Sequence, residues 1–335
     1  MSETGHREAA VRVSGLTLGT SRDRAPLPLV SNVSFEVRPG EMLGLVGESG
    51  SGKTLTGSAV AGLLPRGVRR LSGEIELAGG LAEGEGVPRR SRSDLAMVFQ
   101  NPMTSLNPSV RIGDQVMEAV RLNRPKIPKR EAGKEALAVL ERVEIPRAEE
   151  RMRQYPFEFS GGMRQRVMIA IAIATNPKVL IADEPTTALD VTVQQGVMDL
   201  IDRLRAELGL AVLLISHDLA VVSERCDRLL VMYAGEIVES GDARTVLDRP
   251  LHPYVDGLMR CIPEVALRLG ELRSLPGGVP APGDMPAGCR FAPRCGLRVD
   301  ACVSAHPPLE EVRPGRGVRC VRAGDRVVMA GGRDV

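Results

Sequence analysis

The sequence has no surplus of either charge: 44 Lys and Arg stand against 42 Asp and Glu in 335 residues, a formal net charge of +2. Without a long-range positive field, a nucleic-acid partner has no electrostatic footprint here. The local basic stretch Arg121, Arg124, Lys126, Lys129 and Arg130 reads as a solvated face. Long apolar runs are also missing. The longest, Val167 to Ala174, falls far short of the roughly eighteen residues of a membrane span, so any spanning is left to other chains. Nor does Met1 to Ala10 hold the apolar core of a signal peptide, because Glu3, His6, Arg7 and Glu8 interrupt it. The chain is expected in the cytoplasm with reduced thiols. Tryptophan is absent, aromatics make up 2% of residues and none precedes Phe35. With 43% apolar and 26% charged residues, the composition suits two or three packed globular units and excludes disorder over most of the chain.

Apolar residues alternate with polar ones over Val11–Leu18 and Val33–Val37, which predicts half-buried strands. Met42 to Val46 is a short apolar run and predicts a buried parallel strand. A Gly-rich loop follows, then a helix over Lys53 to Leu64 that stops at Pro65 and Gly67. Residues 101–175 are mostly helical in pattern, including Glu131–Val143 with Leu137 and Leu140 on one face, and read as an inserted helical subdomain. Past Pro177 comes a strand at Val179–Ala182. Val197, Leu200, Ile201, Leu204 and Leu208 then share a helical face closed by Gly209, and a strand follows at Ala211–Ile215. This alternation implies parallel strands with crossover helices. From Ser274 to Cys320, fifteen of forty-seven residues are Pro or Gly, which predicts a loop-rich module with little core of its own.

Gly47-Glu48-Ser49-Gly50-Ser51-Gly52-Lys53-Thr54 fits G-x-x-x-x-G-K-[ST] between the apolar strand and the helix, the context this phosphate-binding motif requires. Its glycines let backbone N–H groups close on phosphate oxygens at the positive end of the helix. Lys53 is assigned to the β and γ phosphates and Thr54 to Mg²⁺. The run Val179 to Glu184 ends a buried strand in two acids. Asp183 is assigned to the Mg²⁺ shell and Glu184 to the attacking water.

Phe159-Ser160-Gly161-Gly162-Met163-Arg164-Gln165-Arg166 resembles the ABC signature motif and lies a short interval before Asp183-Glu184-Pro185. Gln100 after the strand Leu95–Phe99, Ala188-Leu189-Asp190 and His217 in Ser216-His217-Asp218 follow the order of the Q-loop, D-loop and switch histidine of ABC ATPases. The resemblance covers roughly residues 11–245 and implies a P-loop ABC core with an N-terminal antiparallel β subdomain. It adds Gln100 to Thr54 and Asp183 at Mg²⁺, and Gln100 and His217 to Glu184 in hydrolysis. Ser160, Gly161 and Gly162 open a helix, an anion site in themselves. The resemblance implies that this site closes over the γ phosphate held by a second subunit.

The strings from Phe99 to Pro108 and from Ala182 to Thr192, with His252-Pro253-Tyr254 and the Cys-bearing tail, are similar to the D-type ATPase subunit of oligopeptide, dipeptide and nickel importers. That resemblance implies pairing with an F-type ATPase subunit beneath two membrane permeases, supplied by an extracellular binding protein. It also implies a peripheral place on the cytoplasmic face of the membrane, with residues after Gln100 touching the permeases. Peptides are the expected cargo, and nickel or another small solute the alternative. A non-transport ABC ATPase and a redox module with a vestigial nucleotide site are the other readings. Two departures stand out: Met163 replaces the usual Gln of the signature, and Thr20 or a neighbour in Gly19–Asp23 stands where ABC subunits place an adenine-stacking aromatic. Lost stacking predicts weaker adenine binding by about 1 to 3 kcal/mol.

Residues 246–335 are read as a C-terminal extension. Cys226 and Cys261 read as packing residues. Cys289, Cys295, Cys302 and Cys320, spaced C-x5-C-x6-C-x17-C, are expected to form a metal staple, since disulfides are disfavoured in a reducing compartment. The spacing matches neither usual zinc pairs nor common ferredoxin runs. Relatives with such tails carry a 4Fe-4S cluster, which the resemblance implies here with zinc as the alternative. Arg290, Arg294 and Arg298 are expected to offset its charge.

Overall fold

The structure is a computed structural model and describes residues 9–20, 25–78, 80–81, 94–100, 105–187, 189–261 and 275–325. Strands β1 (Val11–Thr20), β2 (Pro28–Val37), β4 (Val68–Leu77) and β5 (Gly80–Leu81) form an antiparallel sheet in the order β2-β1-β4-β5. The second sheet has β3 (Met42–Val46) at its centre. Around it β6 (Leu95–Val98), β7 (Val179–Asp183), β8 (Ala211–Ser216) and β9 (Arg228–Tyr233) run parallel in the order β9-β3-β8-β7-β6. Antiparallel β10 (Glu236–Asp242), β12 (Arg316–Val318) and β11 (Glu310–Arg313) extend it beyond β9 to eight strands.

The central strands are apolar at nearly every position because both faces are covered. Leu43, Leu45, Ile181, Leu213, Ile215, Leu230 and Met232 pack against the antiparallel sheet and against Ala59 and Val60 of helix α1 (Lys53–Val60). The intervening Met42, Val46, Leu180, Ala182, Val212, Leu214, Leu229 and Val231 face a helical layer. Period-two alternation thus separates two cores. A Cβ at Gly44 would meet Val222 at 2.9 Å and Cys226 Sγ at 3.0 Å, so helix α7 (Leu219–Arg225) packs on bare backbone there, with Cys226 part of the contact. Helix α1 ends four residues before the expected Leu64, because Gly62 at φ +69° closes it and leaves Leu63 exposed.

The helical insertion comprises α2 (Ile112–Asn123), α3 (Lys129–Arg142), α4 (Ala148–Arg151) and α5 (Gly161–Ala174). Ile112, Val116, Ala136, Leu140, Val167 and Ile169 form its buried seam. Helix α6 (Val191–Leu208) buries Val197, Leu200, Ile201 and Leu204 and ends at Gly209 in the left-handed conformation, φ 66°. No helix among the described residues is long and apolar enough to cross a membrane.

The tail has little core of its own, as its Pro and Gly content predicts. It borrows the ATPase core instead. Strand β12 pairs with β10, and Arg316 forms an ion pair with the fully buried Glu239. Phe291 is buried among Tyr233, Tyr254 and His252 at ring distances of 5.2, 5.4 and 5.7 Å. Helices α8 (Ala243–Asp248) and α9 (Pro253–Arg260) lead into it and the short α10 (Asp300–Ser304) lies within it. Cys261 is exposed at the end of α9, its Sγ against the Gly257 carbonyl at 3.2 Å, and is not the buried packing residue expected.

Candidate active site

Parallel strands β3, β6, β7 and β8 deliver Gly47, Gln100, Asp183 with Glu184, and His217 to their carboxyl ends, where crevices form in such sheets. The loop Gly47–Gly52 is a tight cradle. Gly47 (φ 151°), Gly50 (φ 77°) and Gly52 (φ 103°) all have positive φ, and a Cβ on Gly47 would lie 2.1 Å from the Met232 carbonyl oxygen. Ser51 is buried, and its Oγ has no hydrogen-bond partner among the described residues. Lys53 Nζ donates to the Gly47 carbonyl at 2.8 Å and the Glu48 carbonyl at 3.0 Å. Burial pulls this ammonium below its usual range, while Glu184, Asp183 and Glu48 oppose the shift. Ser49 and Gly50 are exposed at the loop's tip.

Thr54 Oγ1 donates to Asp183 Oδ1 at 3.3 Å. Asp183 is buried, and desolvation pushes its carboxyl up to about 6 against the opposing Thr54 bond. Glu184 follows in the left-handed region at φ 47°, a strained place for a non-glycine residue and one often found at functional sites. Its Oε2 gathers three neighbours: Gln100 Nε2 at 2.8 Å, Thr187 Oγ1 at 2.9 Å and His217 Nδ1 at 3.3 Å. Gln100 therefore spends its amide nitrogen on Glu184, and its carbonyl oxygen is the atom suited to a cation. His217 is 62% exposed. An exposed imidazole beside a carboxylate has the geometry of a proton-handling group.

The signature is placed differently. Ser160 caps α5, its Oγ accepting from the Met163 N–H at 3.4 Å, and Ser160 and Gly161 are exposed. A Cβ on Gly162 would come 2.4 Å from Val193 Cγ1, so the small residue lets α5 approach the start of α6. Asp190 caps α6 through Val193 N–H at 3.0 Å, and Gln194 reaches Asp218 at 3.0 Å next to His217. Ala188 and residues 101–104, the expected permease contact, lie outside the described residues. Thr20 Oγ1 accepts from the Leu27 N–H at 3.1 Å, so this position fastens the β1–β2 connection through a polar contact; residues 21–24 are outside the described set.

Residues that the sequence reading did not place at the nucleotide site also reach it. Thr187 bonds Glu184, Tyr254 accepts from the Glu48 N–H at 2.9 Å, and Arg294 Nη1 stands 3.1 Å from both Glu48 oxygens. The His252-Pro253-Tyr254 string and the Arg between two cysteines were the signals available for the last two.

The four tail cysteines do not meet the metal expectation. Burial pushes the Cys289 thiol up to about 11, with Cys302 and Cys320 near enough to add to the shift. Yet no three Cys, His, Asp or Glu side chains among the described residues are grouped to hold a metal ion. Two of the three arginines expected to balance a cluster are engaged elsewhere: Arg290 with Glu236 and the Ala234 carbonyl, Arg294 with Glu48. The arrangement gives no support to a zinc or iron–sulfur staple, and contacts with the ATPase core also hold the tail.

Residues 30–187 match the family described as ABC transporter, and residues 238–302 match the oligopeptide/dipeptide transporter C-terminal region. A putative peptide import ATP-binding protein of Brucella abortus is 47% identical over 314 residues, covering 92% of this chain and 94% of that protein. The oligopeptide transport ATP-binding protein OppD of Escherichia coli is 44% identical over 319 residues, 94% of each chain. Among solved structures, the dimeric ATP-binding cassette MJ0796 in a post-hydrolysis state with ADP and Pi is similar at a TM-score of 0.61 and 27% identity, covering 70% of this chain and 99% of that one. The chain belongs to the ATP-binding subunits of ABC transporters, in the branch that carries the oligopeptide/dipeptide C-terminal region.

Proposed function

We propose that this chain binds and hydrolyses ATP to power a peptide importer. It works at the cytoplasmic face of the membrane beneath two permease subunits, paired with a homologous F-type ATPase subunit and served by an extracellular binding protein. One observation carries the reading: Lys53, Thr54, Asp183, Glu184, Gln100 and His217 converge at one sheet end while Ser160–Gly162 offers a second, exposed anion site. One chain supplies the two halves of different sites, and a dimer completes both.

The cradle suits a triphosphate. Ser51 Oγ awaits a partner, and Lys53 needs only to exchange two carbonyls for phosphate oxygens. A bound Mg²⁺ would neutralise phosphate charge, with Thr54, Asp183 and Gln100 as its protein ligands. Glu184 orients the attacking water, and Gln100, Thr187 and His217 fix its carboxylate. Ser160 and the Gly161 and Gly162 amides cover the phosphate held by the partner subunit, so closure depends on the γ phosphate and ends when it leaves.

The test is transport itself. The chain, co-expressed with its permeases and second ATPase subunit and placed in liposomes, should take up peptide with ATP when loaded binding protein is present. Uptake of nickel but not peptide would replace the cargo, and ATP hydrolysis with no permease association would overturn the transport reading.

A further inference from the structure

The phosphate-binding loop is held from outside by the C-terminal segment. Glu48 donates its main-chain N–H to the Tyr254 hydroxyl at 2.9 Å, and its two carboxylate oxygens each lie 3.1 Å from Arg294 Nη1. Arg294 is fixed in turn. Its Nε donates to the Pro276 carbonyl at 2.7 Å, its guanidinium carbon lies 5.7 and 5.9 Å from the Tyr233 and Phe291 ring centres, and its side chain is 6% exposed. Tyr254 is fully buried against Tyr233 and Phe291. Both contacts bridge more than two hundred positions to reach one loop residue.

A carboxylate inside an anion-binding loop is a liability. Turned inward it would repel phosphate and compete for Lys53, whose ammonium already feels its charge. Arg294 holds it outward and neutralises it, and Tyr254 fixes the adjoining peptide so that the loop is preorganised. We infer that Arg294 and Tyr254 are positioning residues of the nucleotide site, a clasp through which the C-terminal segment keeps the Glu48 carboxylate off the phosphates and the Glu48 peptide in place. The inference rests on the ATPase reading and extends it to residues outside the 30–187 match.

The test uses the full chain, with MgATP as the probe and the assembled transporter for steady-state kinetics. Arg294→Gln keeps hydrogen-bond donors but removes the charge; it should weaken MgATP binding about tenfold and raise KM while leaving kcat within about twofold. Adding Glu48→Gln should restore affinity to within about threefold, a rescue that general loosening of the tail would not produce. Tyr254→Phe keeps the ring packing and should weaken binding several-fold without rescue by Glu48→Gln. Wild-type affinity in both Arg294→Gln and Tyr254→Phe, or an Arg294→Gln defect that Glu48→Gln leaves in place, would overturn the clasp. Failure of the wild-type chain to bind MgATP would overturn the ATPase reading instead.

Discussion

Thr54 Oγ1 and Asp183 Oδ1 stand 3.3 Å apart although 129 positions separate them in the chain. The pair joins the first turn of α1 to the end of β7, and burial of Asp183 carries a cost in stability. Its carboxyl rises from an ordinary 3.8 to about 6 in the folded protein. A raised carboxyl favours the protonated folded state, so the nucleotide-free protein loses stability as pH climbs from about 4 to 6. Asp183→Asn should therefore stabilise the nucleotide-free chain by up to about 3 kcal/mol at pH 7.5, with the gain shrinking towards pH 4. Denaturant melts at both pH values measure it, and equal effects at the two would refute the assignment.

Glu184 accepts from Gln100 and Thr187 and faces His217, an arrangement suited to aiming a water molecule. Glu184→Gln should keep MgATP binding and lower phosphate release by about 10² to 10⁴-fold, trapping an ATP-bound closed dimer. Near-normal turnover in the assembled variant would remove Glu184 from the reaction.

Ser160 is exposed at the start of α5; in the proposed dimer, Arg there would place bulk in the path of the partner's nucleotide. Ser160→Arg should leave MgATP binding by the isolated chain unchanged, cost about 1 kcal/mol through the lost cap, and reduce turnover of the complex at least about tenfold. Nucleotide trapping in mixed, labelled complexes reads which site fails. Loss confined to this chain's own loop would contradict the composite site.

Glu239 is fully buried and paired with Arg316, and it also accepts from the N–H groups of Leu251 and His252. Arg316→Met strands that carboxylate and should destabilise the protein by about 3 to 5 kcal/mol. Glu239→Gln in the same chain should recover part of the loss. Denaturation midpoints and protease sensitivity of residues 275–325 check both, and an unchanged midpoint in Arg316→Met would show that the pair does not hold the tail.

The sequence by itself determined the local elements on which the chemistry depends. Met42–Val46 forms β3 as predicted, Ser160 caps α5, Asp190 caps α6 and Gly209 ends it. These follow from neighbours within a few positions, through apolar periodicity, side-chain caps and the freedom of glycine at positive φ. The G-x-x-x-x-G-K-[ST] string was legible for the same reason, since its conformation is local. What the tail does was decided only by tertiary structure. Its Pro and Gly content predicts loops but carries no periodicity that says what they cover; four cysteines suggested a metal, and nothing local foretold that Phe291, Arg294 and Arg316 join the ATPase core. Those contacts exist because partners 58 to 246 positions apart meet on one folded surface. Pairing of buried charge and aromatic packing depend on that surface, which no local pattern encodes.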